Sequence, residues 1–552
     1  MRIIGIGGSD HDLSCCLLED GEVLIAIEEE RLSKEKHGNG VRSCILKSVD
    51  YCLEEAGYTY DDIDMYITSD LFFPRLTSRK PFVNKMIKIN HHLAHIASCY
   101  YTSGFDDAAA LVIDGNGSLF AFDCAETVTT GYAKGNTINI IDKAYGASGT
   151  GLLKNVEAKE NSLGRLYSFF TQICGFGFLE AGKLMGLSSY GKGTYIDSIR
   201  RFAKVEIDRQ SNLFVEIDIK NKSLKEFVKH IHSVGKNEEE KFQVKADIAY
   251  SVQYLLEEFV FAIMNNLYDK TKAKKLCYSG GVALNSVLNG KIKQKTPFED
   301  VFIHPAAGDS GIAIGAALYG YHNIFNKPYK SKKQLTSAYT GRNYSDEEIF
   351  KALDRFKHQV TFEKLGKEDT LKAAAESLSK GRIIGWFQGR SEIGPRALGN
   401  RSILADPRVK EMKDILNSRV KFRESFRPFA PVVLEERVGE YFETDFPNNP
   451  FMLYVGDVKE DKKSVIPAVT HVDGTARLQT IDRETNEMYY DLINKFGELT
   501  GVPVILNTSF NIKGKPIVET PYDAIECFVN CDMDDLFIHD YQVKMITDRC
   551  KP

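Results

Sequence analysis

"AAALVIDGNGSLFAFDCAE", residues 108–126, decides how the fold is read. An apolar run ends in an acidic turn rich in glycine, and a second apolar run follows. That order reads as strand, turn, strand. The chain has used it once before, in "RIIGIGGSDHDLSCCLLED" at residues 2–20. Identity between the two stretches is low; the shape is what recurs. Two such units in one chain point to a duplicated sheet domain or to two unrelated hairpins in an α/β protein.

Around these stretches the pattern is α/β throughout. Asp20-Gly21 marks a hairpin turn before "EVLIAIEEE". "VRSCILKSVDYCLEEAGY" has apolar residues at helical spacing and is closed by Gly57. "IDMYITSD" is a strand, and "HHLAHIASCYYTSG" a helix ended by Gly104. Residues 155–195 read as mostly helical. Residues 217–245 are rich in charge, as in a solvated insertion or a surface helix. A long amphipathic helix over 245–270 leads into "KKLCYSGGVALNSVLNGKI", a strand, glycine turn and helix. "VFIHPAAGDSGIAIGAALYGYH" repeats that order. Residues 330–346 are polar and without period, so the domain boundary is placed there, giving domains 1–335 and 336–552. The second domain also reads as α/β, with "LKAAAESLSKGRIIGWFQGR" as helix, glycine, strand around the single tryptophan, Trp386.

Bulk properties narrow the function. At 552 residues, two to four domains are expected. The chain is 43 % hydrophobic and 27 % charged, the composition of a globular protein with ample core. A net charge of −5 disfavours a dedicated nucleic-acid binder. The eleven cysteines are odd in number, scattered and partly inside apolar runs, which fits reduced thiols in a cytoplasm. "MRIIGIGGSDHD" is not expected to be a signal peptide, since Asp10 and His11 interrupt its apolar run, and no membrane span is expected.

Three groups of residues carry chemistry. His91 and His95 are i and i+4 on one helical face, so both can grip one ion. His92 points about a quarter-turn away. No glutamate follows His91, so the zincin motif and its general base are absent. Asp114 and Asp309 each follow a strand and precede a glycine turn, where ligands gather in open α/β folds. Oxygen ligands with histidine suit Fe(II), Mn(II) or Zn(II). On its own such a histidine pair more often belongs to a helix that holds no metal.

The glycine turns at 114–118, 279–285 and 308–311 offer backbone N–H groups to anions. There is no P-loop. In the second domain, "GRSEIGPRALGNRSILADPR" places Arg390, Arg396, Arg401 and Arg408 among glycines and prolines. Lys421, Arg423, Arg427, His471 and Arg477 follow, and "LNTSFN" adds Asn507, Ser509 and Asn511. Arginine forks match phosphate oxygens, and asparagine and serine suit an amide-like group. A small phosphorylated ligand is expected; solvated basic loops are the alternative.

Together these motifs resemble a family. "HHLAHIAS", "VIDGNG", "GKLMGLSSYG", "SGGVALN" and "GDSGIAIGAAL" resemble, in that order, the first domain of the nodulation- and antibiotic-type O-carbamoyltransferases. "GWFQGRSEIGPRALGNRSILADPR", "VKFRESFRPFAPVV", "DGTARLQT" and "LNTSFN" are similar to their YrdC-like second domain. His11, Asp12 and Ser14, and "EEERLSKEKHG" at 28–38, match as well. The resemblance implies a duplicated actin-like ATPase fold for residues 1–335, with a YrdC-like α/β fold for 336–552. It implies that the C-terminal domain makes carbamoyl-adenylate from carbamoyl phosphate and ATP. The N-terminal domain would pass the carbamoyl group to a hydroxyl of a small molecule, as in relatives acting on aminoglycosides, cephems and nodulation factors.

By the same resemblance His91, His95, Asp114 and Asp309 are metal ligands, with Fe(II) favoured over Mn(II) or Zn(II). Asp114, Gly115, Asn116, Gly117, Ser118, Gly164, Gly182, Gly281, Asn285 and Lys36 fall on carbamoyl-adenylate loops. Arg396, Lys421, Arg427, Arg477, Asn507 and Ser509 form the pocket for carbamoyl phosphate and for ATP with Mg²⁺. His11, Lys421 and Arg427 are the catalytic set, with His11 taking the alcohol proton; a loop-structuring histidine is the other reading of His11. Short-lived intermediates imply a closed passage between the sites. The basic segment 69–90 is short where relatives often carry a longer loop on the acceptor side. The expected partners are the two co-substrates and a hydroxylated acceptor, without nucleic acid or membrane, a homodimer being left open. A tRNA-directed carbamoyl-type enzyme and a non-enzymatic nucleotide- or metal-sensing scaffold are the competing functions.

Overall fold

The structure, a computed structural model, describes residues 1–9, 11–38, 46–71, 85–121, 124–147, 161–208, 213–218, 221–330 and 333–546. Most of the basic segment 69–90, together with Cys44 and Cys550, lies outside the described residues. The other nine cysteines are free thiols. Among the described residues no helix is long and apolar enough to cross a membrane.

The chain forms two compact units. Met1–Val23 and Tyr58–Leu335 make the first, Leu24–Gly57 and Thr336–Pro552 the second. One break falls between Leu335 and Thr336. The assignment of Leu24–Gly57 differs from the uninterrupted first domain expected, and its bonding explains why. Ala26 N–H donates to Thr340 O at 3.0 Å, and Thr340 Oγ1 donates to Ala26 O at 2.8 Å. Tyr51 Oη donates to Glu519 Oε1 at 2.6 Å.

The first unit contains one sheet topology twice. Strands β1 (Arg2–Gly7), β2 (Ser14–Glu19), β4 (Met65–Ser69) and β5 (Met86–Ile89) lie in the order β2-β1-β4-β5, with β3 (Glu22–Glu28) following β2 across the Asp20-Gly21 turn. β1 is antiparallel to β2 and parallel to β4, and β4 is parallel to β5. In the second sheet β6 (Asp107–Ile113) is antiparallel to β8 (Cys124–Lys134), with the short β7 (Leu119–Ala121) and β9 (Thr137–Ala147) also paired to β8. β10 (Ala203–Ile207) and β11 (Leu213–Ile217) form a separate hairpin. β12 (Lys275–Ser279) is parallel to β6 and to β13 (Asp300–Phe302). The order β8-β6-β12-β13 therefore repeats β2-β1-β4-β5 in direction as well as sequence. Residues 2–20 form the β1–β2 hairpin, whereas in 108–126 the run after the turn is the short β7, and the antiparallel partner of β6 is Val128–Lys134, beyond that stretch. Asp20 and Gly21 both have positive φ, 49° and 87°, which is the backbone a two-residue hairpin turn requires.

Helices pack on these sheets through small residues. A Cβ on Gly315 would lie 1.9 Å from Ala94 O. The Ile312–Tyr319 helix thus crosses the His91–Tyr100 helix at backbone contact, and only glycine fits there. That crossing brings Asp309, just ahead of one helix, to the histidines of the other.

The second unit is a mixed eight-stranded sheet buried on both faces. Its strands are β14 (Val360–Lys364), β15 (Ile384–Phe387), β16 (Arg401–Ala405), β17 (Ala430–Leu434), β21 (Gln479–Ile481), β22 (Val504–Ser509), β23 (Asp535–Ile538) and β24 (Tyr541–Met545). Their order is β14-β24-β23-β15-β16-β22-β17-β21. The smaller β18 (Phe442–Glu443), β19 (Val455–Val458) and β20 (Thr475–Arg477) form a three-stranded sheet. Alternate residues serve opposite faces. Ile384, Trp386, Leu404, Val432, Ile505 and Phe537 pack under the Lys367–Ser379 and Glu487–Thr500 helices. Phe387, Ile403, Val433, Leu506 and Leu536 meet the Asp346–Arg355 and Pro521–Val529 helices on the other side. The architecture is mixed α/β in both units.

Candidate functional site

In the first unit, strand ends and one helix build a compact cluster. Asn90 caps the His91–Tyr100 helix, its Oδ1 accepting from Leu93 N at 3.0 Å. One turn on, His91 and His95 emerge from the same face, both fully buried. His91 Nε2 lies 3.5 Å from Asp114 Oδ2 and 3.5 Å from Asp309 Oδ1. His95 Nε2 lies 3.3 Å and 3.7 Å from the same two oxygens. The four ligand atoms are all within 4.8 Å of one another.

The far side of each ring is held by a serine at a strand end. His91 Nδ1 meets Ser69 Oγ at 3.0 Å, at the end of β4. His95 Nδ1 meets Ser279 Oγ at 3.3 Å, at the end of β12. The Ser279 hydroxyl donates to Ala307 O at 3.2 Å, so it accepts from His95 Nδ1–H. That fixes the tautomer and leaves the Nε2 lone pair facing the carboxylates. Neither Nε2 has a hydrogen-bond partner. Two imidazole Nε2 atoms and two carboxylates converging in a buried place call for positive charge there. The His91 ring reports the same demand: burial opposes its charged form, yet Asp309 and Asp114 outweigh burial and raise it to about 10. Two imidazole nitrogens and two carboxylate oxygens fit a borderline divalent ion.

His92 faces elsewhere, as expected. Its Nδ1 meets Thr129 Oγ1 at 2.6 Å and lies 3.2 Å from Glu126 Oε2. Burial, with His91 and His95 nearby, holds its ring well below the usual range. A Cβ on Gly117 would come within 2.5 Å of the His92 ring, so His92 fits against the 114–118 loop only because residue 117 is glycine.

The remaining residues expected around that loop divide. Ser118 Oγ accepts from His91 N at 2.8 Å and donates to Asp70 Oδ1 at 2.7 Å. Gly164 lies against the loop, where a Cβ would be 2.9 Å from Gly115 N. Gly281 N–H donates to Asp114 Oδ1 at 3.2 Å. Gly115 has open space in front of it, and Asn116 sits between these two glycines of the loop. Gly182 also faces open space, inside the Ala181–Ser188 helix. The Asn285 amide exchanges hydrogen bonds with Gln253 at 2.8 and 3.1 Å and caps the Ser286–Asn289 helix. Those bonds occupy the side chain in structure. Lys36 is exposed and belongs to the second unit.

His11 stands on the loop after β1. Its Nδ1 lies 3.1 Å from Asp12 Oδ2, which orients the ring and leaves Nε2 as the basic nitrogen. Ser9 Oγ donates to Asp309 Oδ2 at 2.7 Å, tying this loop to the cluster.

The second unit carries a cationic pocket. Burial, and then Arg427, lower Arg396 to about 10. Burial and Arg427 lower Arg423 to about 9. Arg477 on β20 is pushed well below the usual arginine range by burial and by Arg396, Arg423 and Arg427. Four guanidinium groups therefore feel one another. Lys421 joins them, depressed by burial and by Arg423. Its Nζ donates to Ser509 O, to Asn511 O at 3.0 Å and to Asn511 Oδ1 at 2.9 Å. Glu424 lies 3.9 Å from Arg427, too little negative charge to neutralise the group. His471 is held near 4 by burial against the pull of Asp473, so it adds no charge at neutral pH. Such a pocket suits a polyanion.

Asn507 stands one step back, its Nδ2 donating to Ala397 O at 3.1 Å and Gln479 Oε1 at 2.9 Å. Three arginines of the glycine-rich block are structural. Arg401 donates to Gln388 O at 2.7 Å and lies 3.6 Å over the Phe387 ring. Arg390 binds the carbonyls of Gly341, Leu24 and Thr340. Arg408 forks onto Asp406, with Nη2 at 2.7 Å. Spacing alone could not separate them from Arg396, because all four sit among the same small residues.

Comparison with known proteins accounts for both units. Residues 2–74 and 73–318 match the family described as Carbamoyltransferase N-terminus, and residues 375–545 match Carbamoyltransferase C-terminus. The chain belongs to the carbamoyltransferase family. This carbamoyltransferase is a carbamoyl-transferring enzyme, which sets aside the scaffold reading. Nodulation protein NolNO of Sinorhizobium fredii is 36 % identical over 97 % of this chain and 79 % of its own. The 3'-hydroxymethylcephem-O-carbamoyltransferase of Streptomyces clavuligerus is 32 % identical over 65 % of this chain and 64 % of its own. A full-length HypF in the phosphate- and nucleotide-bound form aligns at a TM-score of 0.39 and 14 % identity, over 59 % of this chain. This carbamoyltransferase spans about half, 47 %, of that HypF chain, and at that score the likeness carries no weight.

Proposed function

We propose that the protein is an ATP-dependent O-carbamoyltransferase. The second unit would form carbamoyl-adenylate from carbamoyl phosphate, water and ATP: hydrolysis releases phosphate, and the carbamate displaces pyrophosphate from ATP. The first would transfer the carbamoyl group to a hydroxyl of a small molecule and release AMP. The observation that carries this reading is the pocket of Arg396, Arg423, Arg427, Arg477 and Lys421 in a chain of this family. Two phosphorylated co-substrates supply the negative charge it lacks. The repeated β2-β1-β4-β5 topology supports an actin-like fold for the first unit.

A carbamoyl carbon is a poor electrophile because nitrogen donates into its carbonyl, and a mixed anhydride with AMP gives it a good leaving group. His11, oriented by Asp12, accepts the proton of the attacking alcohol at Nε2. The adenylate is placed against the 114–118 loop at Gly115, in front of which the space is open. His91, His95, Asp114 and Asp309 would hold a divalent ion, Fe(II) in the first instance, whose contribution is Lewis acidity toward the carbamoyl oxygen or the phosphate. In the second unit Lys421 and the arginines hold the phosphates and offset the charge that develops on them.

Purified protein given carbamoyl phosphate, ATP and a panel of hydroxylated sugars and antibiotics is expected to yield AMP, pyrophosphate and a product heavier by one carbamoyl group. Release of ADP without pyrophosphate overturns the reading. Loss of turnover in a folded Lys421→Ala variant is expected.

A further inference from the structure

Arg396 reaches the anion pocket from the loop "SEIGPRALGN", residues 391–400. A single backbone bridge, Glu392 to Tyr339 with Ile393 N–H donating to Ala338 O at 2.8 Å, holds its start, and buried side chains hold the rest. From one side Glu392 Oε1 accepts from Leu398 N at 2.8 Å, Asn400 N at 2.8 Å and Arg401 N at 3.2 Å. That fixes the stretch after Arg396. The stretch before it is gripped at Gly394, whose φ of 102° only glycine adopts without strain.

The grip comes from far away in sequence. Gly394 N–H donates to Glu28 Oε1, and Arg31 Nη2 donates to Gly394 O at 2.7 Å. Both polar groups of one residue are held by two side chains. Those two side chains hold each other: Arg31 Nε lies 3.5 Å from Glu28 Oε2. Arg31 is 1 % exposed and Glu28 5 %. A buried ion pair is a costly way to anchor a segment, since each charge loses its water. Here it is placed two residues from an arginine of the pocket. The pair lies on Leu24–Gly57, the segment that counts with the second unit.

We propose that Glu28 and Arg31 are positioning residues for the anion pocket, clamping Gly394 so that Arg396 is presented to the phosphorylated substrate. They touch no substrate and act through the loop. The inference rests on the reading of the Arg396 pocket as the carbamoyl phosphate and ATP site.

The test is steady-state kinetics of carbamoyl-phosphate-dependent pyrophosphate release by the full chain. Glu28→Gln and Arg31→Lys are each expected to raise KM for carbamoyl phosphate about tenfold while kcat stays within about twofold. Tyr51→Phe is the control. It removes buried hydrogen bonds of the same segment, to Glu519 and from Arg342 N at 2.7 Å, without touching Gly394. It is expected to lower thermal stability and leave KM unchanged. If a single variant does not fold, Glu28→Gln/Arg31→Met removes both charges together and carries the same expectation for KM. An unchanged KM in the folded clamp variants overturns the proposal, as does an equal rise in Tyr51→Phe. No pyrophosphate from the wild-type protein instead overturns the functional reading on which it rests.

Discussion

Ser9 Oγ donates to Asp309 Oδ2 across 2.7 Å, joining residues 300 positions apart. One belongs to the first β-hairpin and the other to the turn after β13. Through this bond the loop that carries His11 is fixed to the carboxylate–histidine cluster.

Ser9→Ala removes the tether and leaves His11 in place. Carbamoyl transfer is expected to fall about tenfold, or ~1.4 kcal/mol of transition-state stabilisation. His11→Ala is expected to cost more, about 10²–10⁴-fold, as loss of a general base does. Pyrophosphate release in the other unit is expected to continue in both variants. Parallel assays of pyrophosphate and carbamoylated product separate the steps; an equal loss of both counts against the role of His11.

Elemental analysis of protein purified without oxygen is expected to show close to one divalent ion per chain. His91→Ala and His95→Ala are each expected to lose it. His92→Gln is expected to retain it, because His92 bonds Thr129 instead. A wild-type protein without metal, or a loss in His92→Gln equal to that in His91→Ala, overturns the assignment of ligands.

The crowding of Arg396, Arg423, Arg427 and Arg477 places function against stability. Arg477→Gln relieves mutual repulsion and is expected to raise the melting temperature of the unliganded protein. Pyrophosphate is expected to stabilise the wild type, by about 2.7 kcal/mol at a hundred times its Kd, and to have little effect on the variant. Scanning calorimetry with and without pyrophosphate reads both effects. Equal stabilisation of the two proteins by pyrophosphate would remove Arg477 from the pocket.

Glu28 supplies a pH dependence of stability. Burial raises its carboxyl to about 7, Arg31 opposing, from an unfolded value near 4.5. A raised acid binds its proton more tightly when folded. Its contribution to stability is therefore complete below pH 4.5 and is lost as pH rises to 7. Glu28→Gln has no such term. Between pH 5.5 and 7.5 the variant is expected to gain roughly 2 kcal/mol of unfolding free energy relative to wild type. Urea denaturation at the two pH values measures it; a constant difference would place the carboxyl's titration outside that window.

Much of this was legible in residue order. The stretches at 2–20 and 108–126 shared an alternation of apolar run and acidic turn, and their first strands, β1 and β6, occupy equivalent places in two sheets of one topology, although β7 intervenes before the partner of β6. His91 and His95 were paired by helical periodicity, and Asp114 and Asp309 by their position at strand ends. Legibility stopped where partners are distant. Asn285 lies in a glycine turn, as a ligand would, but Gln253 takes its amide. Arg390, Arg401 and Arg408 share the small-residue setting of Arg396, yet their carbonyl and carboxylate partners arrive only with tertiary structure. Arg423 is marked out by the charges around it, which periodicity does not encode. The attachment of Leu24–Gly57 to the second unit depends on bonds to residues about 300 or more positions away.

The split of the second unit has a consequence during synthesis. A ribosome finishes Leu24–Gly57 early, and the strands and loops that bury Arg31 and Tyr51 begin at Thr336. At about 5–20 residues per second, the intervening chain takes tens of seconds to emerge. Through that interval the early segment waits with ionic and phenolic groups that have no place to be buried. The first unit has all its strands by Leu335 and can fold before the second is complete. The order of birth thus sets the order of folding, and a shortened chain that begins at Thr336 would lack the residues that hold its own anion-binding loop.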